Sequence, residues 1–311
     1  MNYTELLTIA MPVYERREYF LEALESAINQ TVKCKIIVVD NCSSHDYFRD
    51  ICGKKGITYY RNETNIGMNP NFNRCFKLAD TEYVMTLQDD DILSPHYVES
   101  FVKAWDKHPD IDVFFTDFVR NTRDGNLPHR HVFPFGYMED GQKVIEYAVK
   151  YKLGFPYLNS SIRRSKFTGF YTKYSGSNDW VWIYDNADKF VFYGDSRILY
   201  QFREHSMQDS KNNILRYRFS LPYIYDVILK QKAVEPSIKR RAELNTFWAL
   251  VQLKSIAKKN EVDDFIKEEN IYSSYLIEKL NSDRWVKTIF AMPTWLVYVI
   301  YKSLRKIGVS G

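Results

Sequence analysis

The first 120 residues alternate between short apolar runs and longer stretches with helical spacing. Residues 6–11 form an apolar run that stops at Pro12. Over 15–30, Phe20, Leu21, Leu24, Ala27 and Ile28 recur on one helical face. A second run over 35–39 ends at Asp40, and a polar turn at 41–44 leads into a helix through Cys52. The pattern then predicts a strand at 57–61, a helix at 70–79, a strand at 83–87, a helix at 95–108 and a strand at 113–118. In the helix at 95–108, Val98, Phe101, Val102 and Trp105 form one stripe. Strands alternating with helices predict right-handed βαβ units and a mainly parallel, Rossmann-like α/β sheet flanked by helices. Ligands of such sheets bind beyond the carboxyl ends of the strands.

The pattern loosens after residue 119. Residues 121–134 are polar and rich in turn formers, as in a surface excursion. Residues 141–151 read as a helix, and 156–163 and 190–199 as strands. From about 211 the chain reads as helical for nearly seventy residues, and its basic stretch Lys239, Arg240, Arg241 reads as a solvated face. Two regions follow: a sheet domain over 1–210 and a helical extension over 211–311. Residues 289–301 carry no charge and include Trp295, Tyr298 and Tyr301. Arg284 and Lys287 precede them; Lys302, Arg305 and Lys306 follow. Thirteen residues are too few to span a bilayer as a helix, which needs about 20. Aromatic and apolar residues between basic flanks suit a helix lying in the interface of an anionic membrane, here over 284–309. A helix packed on the core or on another subunit is the alternative, so an oligomer stays open.

Composition narrows the classes. A net charge of +4 does not mark a nucleic-acid binder. Cys34, Cys42, Cys52 and Cys75 lack C-x-x-C spacing and read as reduced thiols. The first residues lack the basic-then-apolar order of a signal peptide. Together these features predict a cytoplasmic protein, peripheral on the inner face of the cell membrane.

The chemistry concentrates at strand ends. The run over 84–87 leads into Gln88 and then three carboxylates, Asp89, Asp90 and Asp91. Like charges repel, and a buried unpaired carboxylate is disfavoured by several kcal/mol. A divalent cation answers both problems, and carboxylate oxygens suit Mg²⁺ or Mn²⁺ alongside a phosphorylated substrate. A solvated acidic turn or a helix N-cap is the plainer reading. Asp40 shares the strand-end position.

Four segments line up in order: Met11-Pro12-Val13-Tyr14-Glu15-Arg16; Val38-Val39-Asp40-Asn41-Cys42-Ser43-Ser44; Asn65-Ile66-Gly67-Met68-Asn69-Pro70-Asn71; and the triple Asp. This series resembles the family 2 glycosyltransferases of the GT-A fold, of the bacterial surface-polysaccharide type. The likeness covers the first 120 residues and continues more loosely to about 210. It implies an enzyme that moves a hexose-like sugar, with inversion, from a nucleotide-sugar donor, a UDP-sugar in the first instance, to a hydroxyl of a glycan or lipid-linked glycan. It implies that Pro12, Val13 and Tyr14 enclose the base, and that Glu15, Arg16, Asp40, Asn65, Gly67, Asn71, Arg74, Gln88, Asp89, Asp90 and Arg203 serve the donor. Asp40 would equally cap a helix, and Arg16 could cap the helix after it.

The acidic frame is open: anchoring on Leu87 selects Asp90 as the second metal-site Asp, whereas anchoring on the carboxylates pairs Asp89 with Asp91. The resemblance implies Asp90, Asp91 and His205 as ligands of Mn²⁺ or Mg²⁺. Ser177-Asn178-Asp179-Trp180 resembles the family's acidic-Trp motif and implies Asp179 as general base, with Ser160, Asn178 and Trp180 near the acceptor or sugar. Two rivals remain: a sugar-nucleotide-binding module without transfer, and a nucleotidyltransferase, although Met11–Arg17 lacks the Gly-rich loop the latter needs.

Overall fold

A computed structural model describes residues 3–122, 125–129, 135–151, 159–170, 178–208, 235–258, 260–261 and 282–306. Parts of the excursion (123–124 and 130–134), the strand start at 156–158, the helical stretches at 211–234 and 262–280, and the segment ends at 175–177, 209–210 and 307–309 lie outside them. The chain divides into two compact units that interleave along the sequence. The first comprises 1–143, 155–170 and 188–206; the second comprises 144–154, 171–187 and 207–311. The sequence pattern predicts one boundary near 210.

The first unit holds the sheet. Its strands are β1 (Leu7–Val13), β2 (Lys35–Asp40), β3 (Thr58–Arg61), β4 (Tyr83–Thr86), β5 (Ile92–Leu93), β6 (Val113–Thr122), β7 (Gly125–His129), β8 (Gly136–Met138), β9 (Ser160–Arg163) and β10 (Phe192–Arg203). The main order is β3-β2-β1-β4-β9-β6-β10-β5, with β7 beside β6 and β8 beside β10. From β3 to β4 all pairings are parallel. Beyond β4 the sheet is mixed: β9 runs antiparallel to β4 and β6, β10 parallel to β6, and β5 antiparallel to β10. The parallel half is the part built from βαβ repeats, because parallel neighbours need a long crossover. Its crossovers carry α1 (Phe20–Ile28), α2 (Tyr47–Lys55) and α3 (Met68–Leu78), and α4 (Tyr97–Lys107) follows β5.

β1 and β4 lie at the centre, and their near-continuous apolar runs are buried along both faces, as in strands covered by helices on either side. Phe20 and Phe48 meet edge-to-face at 4.8 Å, and Phe101 meets Tyr83 at 5.0 Å and Phe114 at 5.6 Å. Much of the aromatic content is therefore core, each ring contributing about 1.5–3 kcal/mol on burial. All four cysteines are free, and burial pushes the Cys34 and Cys52 thiols up to about 12.

The second unit is helical where described. It includes most of α5 (Gln142–Tyr151), with α6 (Asn178–Asn186), α7 (Pro236–Lys254), α8 (Arg284–Ala291) and α9 (Thr294–Lys306). α7 packs against α8 and α9, and Asn245 Nδ2 donates to the Val149 carbonyl at 2.6 Å. Lys239, Arg240 and Arg241 are exposed. Among the described residues, no helix is long and apolar enough to cross a membrane.

Candidate active site

The register of β1 on β2 sets Val13 beside Asp40, so two strand ends meet at one edge. Asp40 is fully buried and its carboxylate is occupied. Oδ1 accepts from Ser43 N at 2.9 Å and Ser43 Oγ at 2.6 Å; Oδ2 accepts from the Tyr59 hydroxyl at 2.6 Å. The group reads as a strut that fixes the 41–44 turn. Beside it, four asparagines form a network. Asn62 Nδ2 donates to Asn41 Oδ1 and Asn71 Oδ1, each at 2.9 Å, and Asn41 Nδ2 donates to Asn65 Oδ1 at 2.7 Å. Asn65 Oδ1 also accepts from Gly67 N at 2.9 Å. Gly67 has φ +90°, which a residue with a Cβ rarely adopts, and it opens α3. Asn65, Gly67 and Asn71 thus shape one loop against the end of β2. Tyr14 is exposed, Pro12 half-buried and Val13 buried.

Glu15 ties the two strand-end loops together. Its carboxylate accepts from Ser44 N at 2.7 Å and Ser44 Oγ at 2.8 Å, and its own N–H donates to Ser43 Oγ at 2.9 Å. These bonds hold the Glu15 carboxyl below its usual range. They also hold Glu15 at φ +57°, a left-handed conformation that costs a residue with a side chain about 1–2 kcal/mol.

That bend directs Arg16 to the acidic turn after β4. Asp89, Asp90 and Asp91 are all buried. Arg16 Nη2 donates to Asp89 Oδ1 and lies 2.8 Å from Asp90 Oδ2. His205 Nε2 lies 2.9 Å from the same Asp90 oxygen and 3.4 Å from Arg16 Nη1. That one nitrogen donates to Asp90 or accepts from Arg16, not both. Burial pushes the Asp89 carboxyl up, with Arg16 opposing the shift. Asp91 faces the other way: Oδ2 accepts from the Tyr200 hydroxyl at 2.6 Å, and Oδ1 from Arg203 N at 2.8 Å. Arg203 is a brace too, with Nε donating to the Asp90 carbonyl at 2.9 Å and Nη2 to Glu22 at 2.6 Å, over the Tyr19 ring.

The residues fit a hard divalent cation in part. Asp90 Oδ1 is buried with no hydrogen-bond partner among the described residues, an acceptor left over beside a second carboxylate and an imidazole. No three His, Cys, Asp or Glu side chains among the described residues are arranged around a single ion position. A cation here would complete its shell with water and substrate oxygens, as Mg²⁺ and similar ions commonly do. His205 Nε2 approaches Asp90 Oδ2 at that turn, whereas the Asp91 carboxylate is held by Tyr200 and the Arg203 amide.

Gln88 is half-buried before the acidic turn, Ser160 is buried on β9, and Arg74 on α3 has a buried Nε without a partner among the described residues. Asn178, Asp179 and Trp180 form the first turn of α6, in the second unit. The half-buried Asp179 has an enclosed carboxyl, and desolvation pushes it up to about 7 against the backbone N–H groups of the helix start. Both side-chain polar atoms of Asn178 are buried without partners among the described residues. Sequence reasoning missed Ser43, Tyr59, Tyr19, Glu22 and Tyr200. Ser43 was legible, since Asp followed three residues later by Ser suits a local side-chain turn. The others arrive from distant elements and carry no local signal.

Residues 8–168 match the profile of glycosyl transferase family 2, and the chain belongs to that family, with the GT-A fold. An uncharacterized glycosyltransferase of Rickettsia typhi is 26% identical over 326 aligned positions, covering 99% of this chain and 94% of its own. The minor teichoic acid biosynthesis protein GgaB of Bacillus subtilis is 29% identical over 123 residues, 35% of this chain and 14% of that protein. Matches to several other relatives likewise cover less than half of those proteins' length. S. aureus TarS 1–349 in complex with UDP-GlcNAc superimposes with a TM-score of 0.68 at 15% identity, over 97% of this chain and 92% of that one.

Proposed function

We propose that this glycosyltransferase moves a sugar from a nucleoside diphosphate sugar, a UDP-sugar in the first instance, to a glycan hydroxyl with inversion, in the synthesis of a surface polysaccharide. The observation that carries the reading is the buried Asp89–Asp90 pair, whose Asp90 Oδ1 has no partner among the described residues, at the end of a strand in the parallel half of the sheet. The loop built by Asp40, Asn41, Asn65 and Gly67 would receive the base and ribose, with the exposed Tyr14 ring as a stacking surface. Asp89 and Asp90 would hold Mn²⁺ or Mg²⁺ together with water and donor oxygens, and the ion when bound supplies positive charge to the leaving diphosphate. Asp179 would accept the proton of the attacking hydroxyl, and its raised pKa puts it in the range a general base uses. TarS with bound UDP-GlcNAc and the teichoic acid protein GgaB support the donor and acceptor classes. The exposed aromatic face of α8 and α9 supports an acceptor met at the inner face of the membrane.

The test is release of nucleoside diphosphate across UDP-, GDP-, CDP- and dTDP-sugars with Mn²⁺. The parent should turn over one donor class, and Asp179→Asn should lose at least about a hundredfold in kcat while still binding donor, the lower range for a general base. Donor binding without turnover by the parent, with every acceptor tried, would leave a binding module.

A further inference from the structure

The acidic turn already holds a cation, and it belongs to the chain. Arg16 Nη2 donates to Asp89 and sits 2.8 Å from Asp90 Oδ2, so a single nitrogen bridges the two carboxylates. The match is incomplete. Arg16 Nε is buried without a partner among the described residues, and so is Asp90 Oδ1. A guanidinium set for binding would present two parallel N–H groups to one carboxylate. Here it is angled across two carboxylates, and a bond is forfeited on each side. The angle has a cause in the chain: Glu15, held left-handed by Ser43 and Ser44, directs the next side chain into the turn.

We infer that Arg16 is a resident counter-ion of the metal site, and that it and a divalent cation exclude one another at Asp89 and Asp90. An ion bound to these oxygens at about 2.1 Å needs the shell that Nη2 fills. Like charges at that separation also repel. Arg16 thus offsets one of the two charges of the carboxylate pair in the free protein, and a metal binds only by displacing it. Released from the pair, the guanidinium is a fork of the kind that receives phosphate oxygens. The loop clamped to Glu15 is the one proposed to meet the nucleotide, so donor contact and the aim of Arg16 share one hinge residue. The inference rests on the metal reading above.

Mn²⁺ titrations without nucleotide, followed by the electron paramagnetic resonance signal of free Mn²⁺, test it on the full chain. Arg16→Gln should bind Mn²⁺ at least tenfold more tightly than the parent. Arg16→Lys, a point charge that bridges poorly, should fall between them and decides the matter if the Gln variant does not fold. The melting temperature of Arg16→Gln should also be lower than that of the parent without metal and rise more on adding Mn²⁺. Equal or weaker Mn²⁺ binding by the folded variants overturns the inference and leaves the metal reading standing. No saturable Mn²⁺ binding by parent or variants, with donor present or absent, overturns both.

Discussion

Asp40 shows how far a residue's chemistry depends on its neighbours. Its position at a strand end marks it as a ligand, yet Ser43 and Tyr59 supply three hydrogen bonds to its carboxylate. Tyr59→Phe would leave Oδ2 buried and unpaired, which should destabilise the fold by about 1–3 kcal/mol. Chemical denaturation measures this, and the donor KM should rise more than kcat falls, because the turn that Asp40 holds is proposed to shape the base site. Asp179 makes the opposite case. Its folded pKa of about 7 lies above the ordinary 3.8. Between those values the folded chain keeps a proton that the unfolded chain has lost, so stability falls as pH rises from about 4 to 7. Asp179→Asn removes that penalty. The variant should melt higher than the parent at pH 8, with a gap that closes towards pH 4, while its activity is lost. In the parent, kcat should climb through about pH 7 as the base deprotonates. A melting profile unchanged by the substitution would mean that the carboxyl is better solvated than its surroundings imply.

At the scale of elements, the chain is legible where local pattern and tertiary environment agree. β1, β2 and β4 are apolar runs because helices cover both faces, and β3, α1, α3 and α4 fall within a few residues of their expected positions. The polar strand ends were legible for the same reason: Asp40 and Asp89 break runs that must end where the sheet ends. Agreement stops where long-range pairing decides. β5 has two residues and exists through its antiparallel pairing with Tyr200 and Gln201. β10 is expected over 190–199 and is found, but it is twelve residues long, running on to Arg203 past an irregular register near Ile198 that no local pattern marks. β9 pairs antiparallel to both neighbours, which a βαβ count cannot foresee. The inner wiring of the site follows suit. Tyr200 and Arg203 come from β10 to hold Asp91, and this long-range contact sorts three adjacent carboxylates into a brace and a pair facing Arg16. The open frame of the acidic motif was a question about side-chain direction, which sequence spacing does not encode.

For the whole molecule, the proposed transfer needs a place to meet its acceptor, and the charge distribution indicates one. The net charge of +4 is small, yet α8 and α9 carry Arg284, Lys287, Lys302, Arg305 and Lys306 with no acidic residue. Val286, Phe290 and Val297 are buried. Trp285 and Trp295 are 70% and 67% exposed, and Tyr298 and Val299 are also open. On α9, Trp295, Val299, Lys302 and Lys306 recur at intervals that keep them on one face, aromatic at its start and basic at its end. A face turned to water alone would have little reason to expose two tryptophans, whereas an interface offers their rings a boundary and the lysines anionic headgroups at about 1 kcal/mol each. Replacing Trp285 and Trp295 with Ser should therefore abolish sedimentation with phosphatidylglycerol vesicles and leave the melting temperature within about 2 °C, since neither ring is core. Raising salt should weaken the parent's binding without abolishing it, because the aromatic contribution is not screened. Neutral vesicles should bind less than anionic ones. If the double variant sediments as the parent does, or if the parent ignores vesicle charge, these helices serve a protein partner, and a concentration-dependent mass by light scattering would identify a second copy of the chain as that partner.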